Sequence, residues 1–187
     1  MRINCIGGIV LFFGLVVGIL QSYGEEVENP QYTNWSKFPV GTSVTTRNIV
    51  SNAGKSVTTT TTTKLISKTE NSLILSTVIS SDATGMLITN DPWEKTIKRM
   101  FPLLPGVDKT KIGRPQGAMA TGMETIEILG KKYNAEWYET KAQTEAGPSL
   151  TRTWISMDVP NMILKSETEV KVADKKGKIE ITEIKIP

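Results

Sequence analysis

Residues 56–66 read SVTTTTTTKLI, with six threonines in a row from Thr58 to Thr63. Such a run is either a disordered spacer that splits the chain in two or one strand of a continuous sheet. Alternate residues of a strand face opposite sides. Here the odd positions give Val57, Thr59, Thr61, Thr63 and Leu65, while the even ones give Ser56, Thr58, Thr60, Thr62 and Lys64. One face therefore begins and ends apolar and the other is polar throughout. Threonine is β-branched and suits a pleated, half-buried surface, whereas a mucin-like stalk mixes in proline. The run predicts a long strand, with Thr59, Thr61 and Thr63 turning their methyls inward. Their hydroxyls then need partners, because a buried unpaired hydroxyl costs about 1–3 kcal/mol.

The surroundings agree. No proline occurs from Val40 to Asp91, as hairpin-built sheet requires. VGTSVTTRNIV (40–50) reads as a strand, SNAGK (51–55) as a turn and LILSTVIS (73–80) as a strand apolar on both faces. Asp91-Pro92-Trp93-Glu94 carries the signature of a helix start. Pro102 and Pro105 would stop such a helix early, so 92–101 is open between a short helix and an edge strand. PLLPGVDKTKIGRPQG (102–117) is a loop.

Sheet returns at METIEIL (123–129), YNAEWYETK (133–141), LTRTWISM (150–157) and NMILKSETEVKV (161–172). The final segment changes phase, from Ile179 and Ile181 to Ile184 and Ile186, which marks a β-bulge and a curved sheet. The expected fold is mainly β: a curved antiparallel, half-barrel-like meander of eight or nine strands with at most one or two short helices.

Ahead of this lies MRINCIGGIVLFFGLVVGILQSYGEE, with a basic start, an apolar run from Cys5 to Leu20, and small residues at Ser22 and Gly24. It reads as a signal peptide over 1–24, cleaved before Glu25. The apolar run falls short of the ~20 residues of a spanning helix, although Gly14 and Gly18 have the spacing of a helix-packing motif and an uncleaved anchor is the alternative. Residues 25–39 read as a leader with one helical turn anchored by Trp35 and Phe38, and 40–187 as one β domain. Asn34-Trp35-Ser36 is formally a glycosylation sequon. The expected location is secreted or periplasmic, with membrane contact only through an uncleaved N-terminus.

Two segments carry a resemblance. GMETIEILGKKYNAEWYE (122–139) and TRTWISMDVPNMILKSETEV (151–170) resemble a recurrent pattern in small exported bacterial proteins of unknown function, common among planctomycetes. In that pattern a G-x-E-T strand leads to a G-K-K hairpin, and a W-[IV]-S-x-D-V-P unit leads to a K-S-E strand. The strand plan also resembles the half-barrel of LolA/LolB-type lipoprotein carriers, which hold acyl chains against an apolar concave face covered by helices. That resemblance implies an apolar ligand.

The chemistry-bearing residues are few. The chain has no histidine, and its one cysteine, Cys5, lies in the expected signal peptide, so histidine- and cysteine-dependent triads and zinc sites are excluded after cleavage. Glu124 and Glu127 fall on opposite faces of one strand, while Glu136, Glu167 and Glu169 read as outward polar stripes. No cofactor, metal or catalytic residue is expected. The net charge of +3 comes from scattered lysines, with no basic stripe for nucleic acid. Flexible and aromatic side chains remain: Met86, Met123, Trp137, Trp154, Met157 and Met162 are the candidate ligand-binding residues for a lipid or other apolar ligand. The competing expectation is a structural or protein-interaction module that meets an envelope protein through a polar face or an exposed edge.

Overall fold

A computed structural model describes residues 25–82, 85–170 and 175–187. The signal-peptide reading of 1–24 lies outside these residues. Among the described residues, no helix is long and apolar enough to cross a membrane.

Two meanders of hairpins make one ten-stranded antiparallel sheet that does not close into a barrel. The first runs through β2 (Ser43–Asn52), β3 (Lys55–Lys68) and β4 (Ser72–Ser81). The second runs through β8 (Ala118–Ile128), β9 (Lys131–Thr144), β10 (Gly147–Ile155), β11 (Ile163–Val170) and β12 (Lys175–Lys185). They join where β12 pairs with β2. On the side away from β3, β4 pairs with two short strands, β5 (Ile88–Thr89) and β6 (Trp93–Lys98), which raise the strand count above the eight or nine expected. Outside the sheet, β1 (Glu26–Glu28) pairs with β7 (Met100–Pro102).

The open segment 92–101 is edge strand, not helix. In β6, Ile97 pairs with Leu73 and is buried, while Trp93 pairs with Thr77 and stays half exposed. The expected bulge in the last strand is also present. Thr182 is the extra residue between Ile181, opposite Thr46, and Glu183, opposite Thr45. Ile181 and Ile184 thereby both meet the core.

The threonine run forms the middle of β3, and Leu65, on its odd face, is fully buried. The hydroxyls find their partners on neighbouring strands: Thr63 pairs with Thr77 and Thr59 with Ser81, both at 3.4 Å, and on the other face Thr62 pairs with Thr45 at 3.0 Å. Both faces of the run are half-buried, so the inward–outward contrast is weaker than the alternation implies. Each threonine of the run lies between a residue of β2 and, from Thr59 on, one of β4.

One end of the Leu65 face is covered by α1 (Pro30–Trp35). Asn29 caps the helix by accepting from the Gln31 N–H at 3.0 Å, and Pro30 opens it. Trp35 is fully buried and meets Phe38 edge-on at 6.4 Å. The Tyr32 hydroxyl donates to the carbonyls of Thr69 and Glu70, at 2.9 and 2.7 Å. The Asn34 amide donates to those of Met157 and Val159, at 3.2 and 2.9 Å. The helix thus ties the β3–β4 turn to the 156–162 loop, and the sequon asparagine is a buried structural residue here.

Candidate functional site

The site is built by register on the face that carries Trp154. Following the strand pairings from β9 through β10, β11 and β12 to β2 gives three rows of side chains. One row is Trp137, Trp154, Lys165, Glu180, Arg47; the next is Glu139, Arg152, Glu167, Lys178, Ile49; the third is Lys141, Leu150, Glu169, Lys176, Ser51. In the middle row charge alternates strand by strand: acid on β9, base on β10, acid on β11, base on β12. Such cross-strand pairs each stabilise a sheet by roughly 0.2–1 kcal/mol.

Over these rows lies a cavity of about 690 Å³, lined by side chains from all five strands, including Ile49, Leu150, Arg152, Trp154, Glu167 and Lys178. Residues separated by three intervening strands line one space, so the sheet curls around it. The volume falls in the range of small-ligand sites.

Arg152 is the most constrained polar group in the site. Its guanidinium lies 4.6 Å from the Trp137 ring centre and 5.8 Å from that of Trp154, and its Nε donates to Glu139 Oε1 at 3.0 Å. Trp154 is buried, its indole N–H donates to Glu124 at 2.8 Å, and the Lys165 ammonium sits 4.9 Å over its ring. Trp137 lies across Gly122, where an added Cβ would meet the indole at 2.8 Å. Only glycine lets the ring lie flat there and offer its other face to Arg152. At the β2 end, Lys178 and Arg47 hydrogen-bond to Glu180, at 2.6 and 2.7 Å, and hold its carboxyl below the usual carboxylate range.

Two other hollows lie elsewhere on the described residues. One, about 450 Å³, lies among Lys37, Phe38, Lys131, Tyr133, Met157 and Asp158. The other, about 430 Å³, lies between the 107–117 loop and β8, with Tyr138 in its lining. Tyr138 is buried, and that burial, followed by its hydrogen bond to Glu136, pushes its phenol up to about 12.

The structure brings Trp137 and Trp154 together but does not gather the four methionines around them. Met86 and Met123 are exposed, on the 85–87 segment and on the β8 face opposite Glu136. Met157 borders the Lys37 hollow, and Met162 has a left-handed φ of 64° in the 156–162 loop. Sequence reasoning missed Arg152, Glu139 and Lys178, set Glu124 aside because Glu127 falls on the opposite face, and read the glutamates at 167 and 169 as plain outward stripes. The legible clue was Gly122, since a glycine inside a strand marks close approach of another group.

No protein-family profile matches the chain, and no curated protein matches it in sequence. Among solved structures it is similar to a Bacteroides fragilis protein described as exported and of YmcC-like fold, at 11% identity and TM-score 0.46 over 79% of this chain and 97% of that one. It is similar also to the Mycobacterium tuberculosis lipoprotein LppX, at 10% identity and TM-score 0.40 over 84% and 92%. A third is a DUF1329 family protein from Desulfovibrio piger, at 7% identity and TM-score 0.29 over 83% and 90%. None of the three comes from a planctomycete, and at these identities and scores no activity is transferred from them.

Proposed function

We propose that the protein is an exported, non-enzymatic binding module that holds an amphiphile on the Trp154 face of its sheet. The observation that carries this reading is the 690 Å³ cavity, whose lining combines apolar Ile49, Leu150 and Trp154 with ordered charged groups. Its position against a curled sheet is in keeping with the half-barrel resemblance and with the lipid or apolar ligand expected there. Of the candidate binding residues, Trp154 lines this cavity, and Trp137 supports it from behind Arg152. Of the three carboxylates that line the cavity, Glu139 is paired with Arg152 and Glu167 with Lys165, so a convergent pair of free acids is not offered there.

Native mass spectrometry after incubation with a membrane-lipid extract should show one amphiphile adduct per chain. Ser51→Trp, which places an indole in the cavity wall, should abolish the adduct. A wild-type chain that takes up nothing would overturn the proposal.

A second reading, an envelope-protein interaction module, draws on one feature. Strand β8 lies at the edge of the sheet, with exposed Met119 and Met123. A Thr125→Pro variant at that edge would lose a stable protein partner recovered by the wild type, if that reading holds.

A further inference from the structure

We infer that the amphiphile carries a zwitterionic head group, with one positive and one negative charge about one interstrand spacing apart. This rests on the proposed binding role and names the ligand class. Six charged side chains line the cavity: Arg152, Lys176 and Lys178 against Glu139, Glu167 and Glu169. They are not mixed at random. Register puts Glu139 beside Arg152, Arg152 beside Glu167, and Glu167 beside Lys178. Neighbouring strands lie about 4.8 Å apart, so among the lining residues the sign of the charge alternates from β9 to β12 at that spacing.

A purely anionic head placed over a basic column meets carboxylates on the neighbouring strands, and a purely cationic one meets ammonium or guanidinium groups. A head with both charges, oriented across the strands, meets opposite charge at each end. Its ionic groups are then compensated as they leave water, which a singly charged head cannot achieve on this floor.

The floor also keeps groups for a ligand. Glu169 and Lys176 face each other across β11 and β12, yet neither takes part in an ion pair among the described residues. Lys178 turns along its own strand to Glu180, and Lys165 does the same to Glu167. Arg152, by contrast, is fixed by two indoles and Glu139, so one cation is pre-oriented while the lysines adapt. The apolar side chains Ile49, Leu150 and Trp154 border the same charged floor, where a chain attached to the head would lie.

The test compares single-chain amphiphiles of equal length, below their micelle concentrations, by isothermal titration calorimetry. The probes are dodecylphosphocholine, dodecyl phosphate, dodecyltrimethylammonium and dodecyl maltoside, with chain-less glycerophosphocholine as a further arm. The phosphocholine amphiphile should bind at least tenfold tighter than either singly charged one, and glycerophosphocholine at least tenfold weaker than its chain-bearing counterpart. Lys176→Glu together with Lys178→Glu should reverse the order in favour of the trimethylammonium head. Glu167→Gln together with Glu169→Gln should favour the phosphate head. Affinities within threefold across the four heads would overturn the zwitterion and leave the amphiphile reading standing. Binding of none of the four, or equal binding of the chain-less zwitterion, would overturn the amphiphile reading itself.

Discussion

Leu129 stands at the tip of the β8–β9 hairpin with a left-handed φ of 54°, followed by Gly130 at 74°. Two consecutive positive φ values are what a two-residue hairpin turn of the right twist demands, and Asn-Gly is its natural pair. A leucine here brings a strained Cβ and an exposed side chain that packs on little. Leu129→Asn should stabilise the protein by about 0.5–1 kcal/mol, given that the left-handed conformation costs an ordinary residue roughly 1–2 kcal/mol. Urea denaturation reads this as a higher midpoint at unchanged slope. The same logic was visible in the sequence at Ala53-Gly54, where the turn was expected and where φ values of 47° and 79° are found. Gly122 has no positive φ, and its clue is of another kind, a glycine inside a strand. The glycine was read as part of a strand motif, while its reason, an indole lying flat on the backbone, involves a residue on the neighbouring strand.

At the scale of elements, the threonine strand shows what a polar β-branched run does inside a sheet. Its methyls shield neighbouring backbone, and its hydroxyls pair across strands instead of seeking carbonyls. Thr77 is buried, and its hydroxyl is placed against that of Thr63. Thr63→Val should therefore cost about 1 kcal/mol, since it strands a buried hydroxyl. Thr63→Val with Thr77→Val should recover most of that loss, which a double-mutant cycle in urea measures directly. A double variant no more stable than the single one would show that the pairing contributes nothing. Parity made this strand legible, and a change of parity made the β12 bulge legible too. The 92–101 segment resisted for a physical reason. Residues 93 and 97 share a face in a helix and in a strand alike, because a separation of four is close to 3.6 and is also even. The cap-like Asp91-Pro92 pair then favoured helix locally, while pairing of β6 with β4 decided for strand.

For the molecule as a whole, the decisive contact is the one most distant in sequence, between β2 and β12. It joins the two meanders and completes the cavity by setting Ile49 and Ser51 beside Lys178 and Lys176. Hairpin signals are local and were readable. The β2–β12 register was not, and with it went the alternating charge rows, since no short window of sequence holds more than one column of them. Along the seam, Glu180 of β12 binds Arg47 of β2 and Lys178 of its own strand. Those bonds lower the Glu180 pKa below its ordinary value near 4.5. A depressed carboxylate contributes stability that is present above the unfolded-state pKa and is lost as pH falls through the folded one. Between pH 6 and pH 3 the wild type should therefore lose more stability than Glu180→Gln, which has no charge to forfeit there. The difference should appear in urea midpoints taken across that window, and it should shrink in high salt, because the pair is only partly buried. Because the seam carries the continuity of the whole sheet, fluorescence of Trp35 in the helix and Trp154 in the second meander should report the same acid-induced shift. Parallel curves for wild type and Glu180→Gln would instead place the acid sensitivity of the sheet elsewhere.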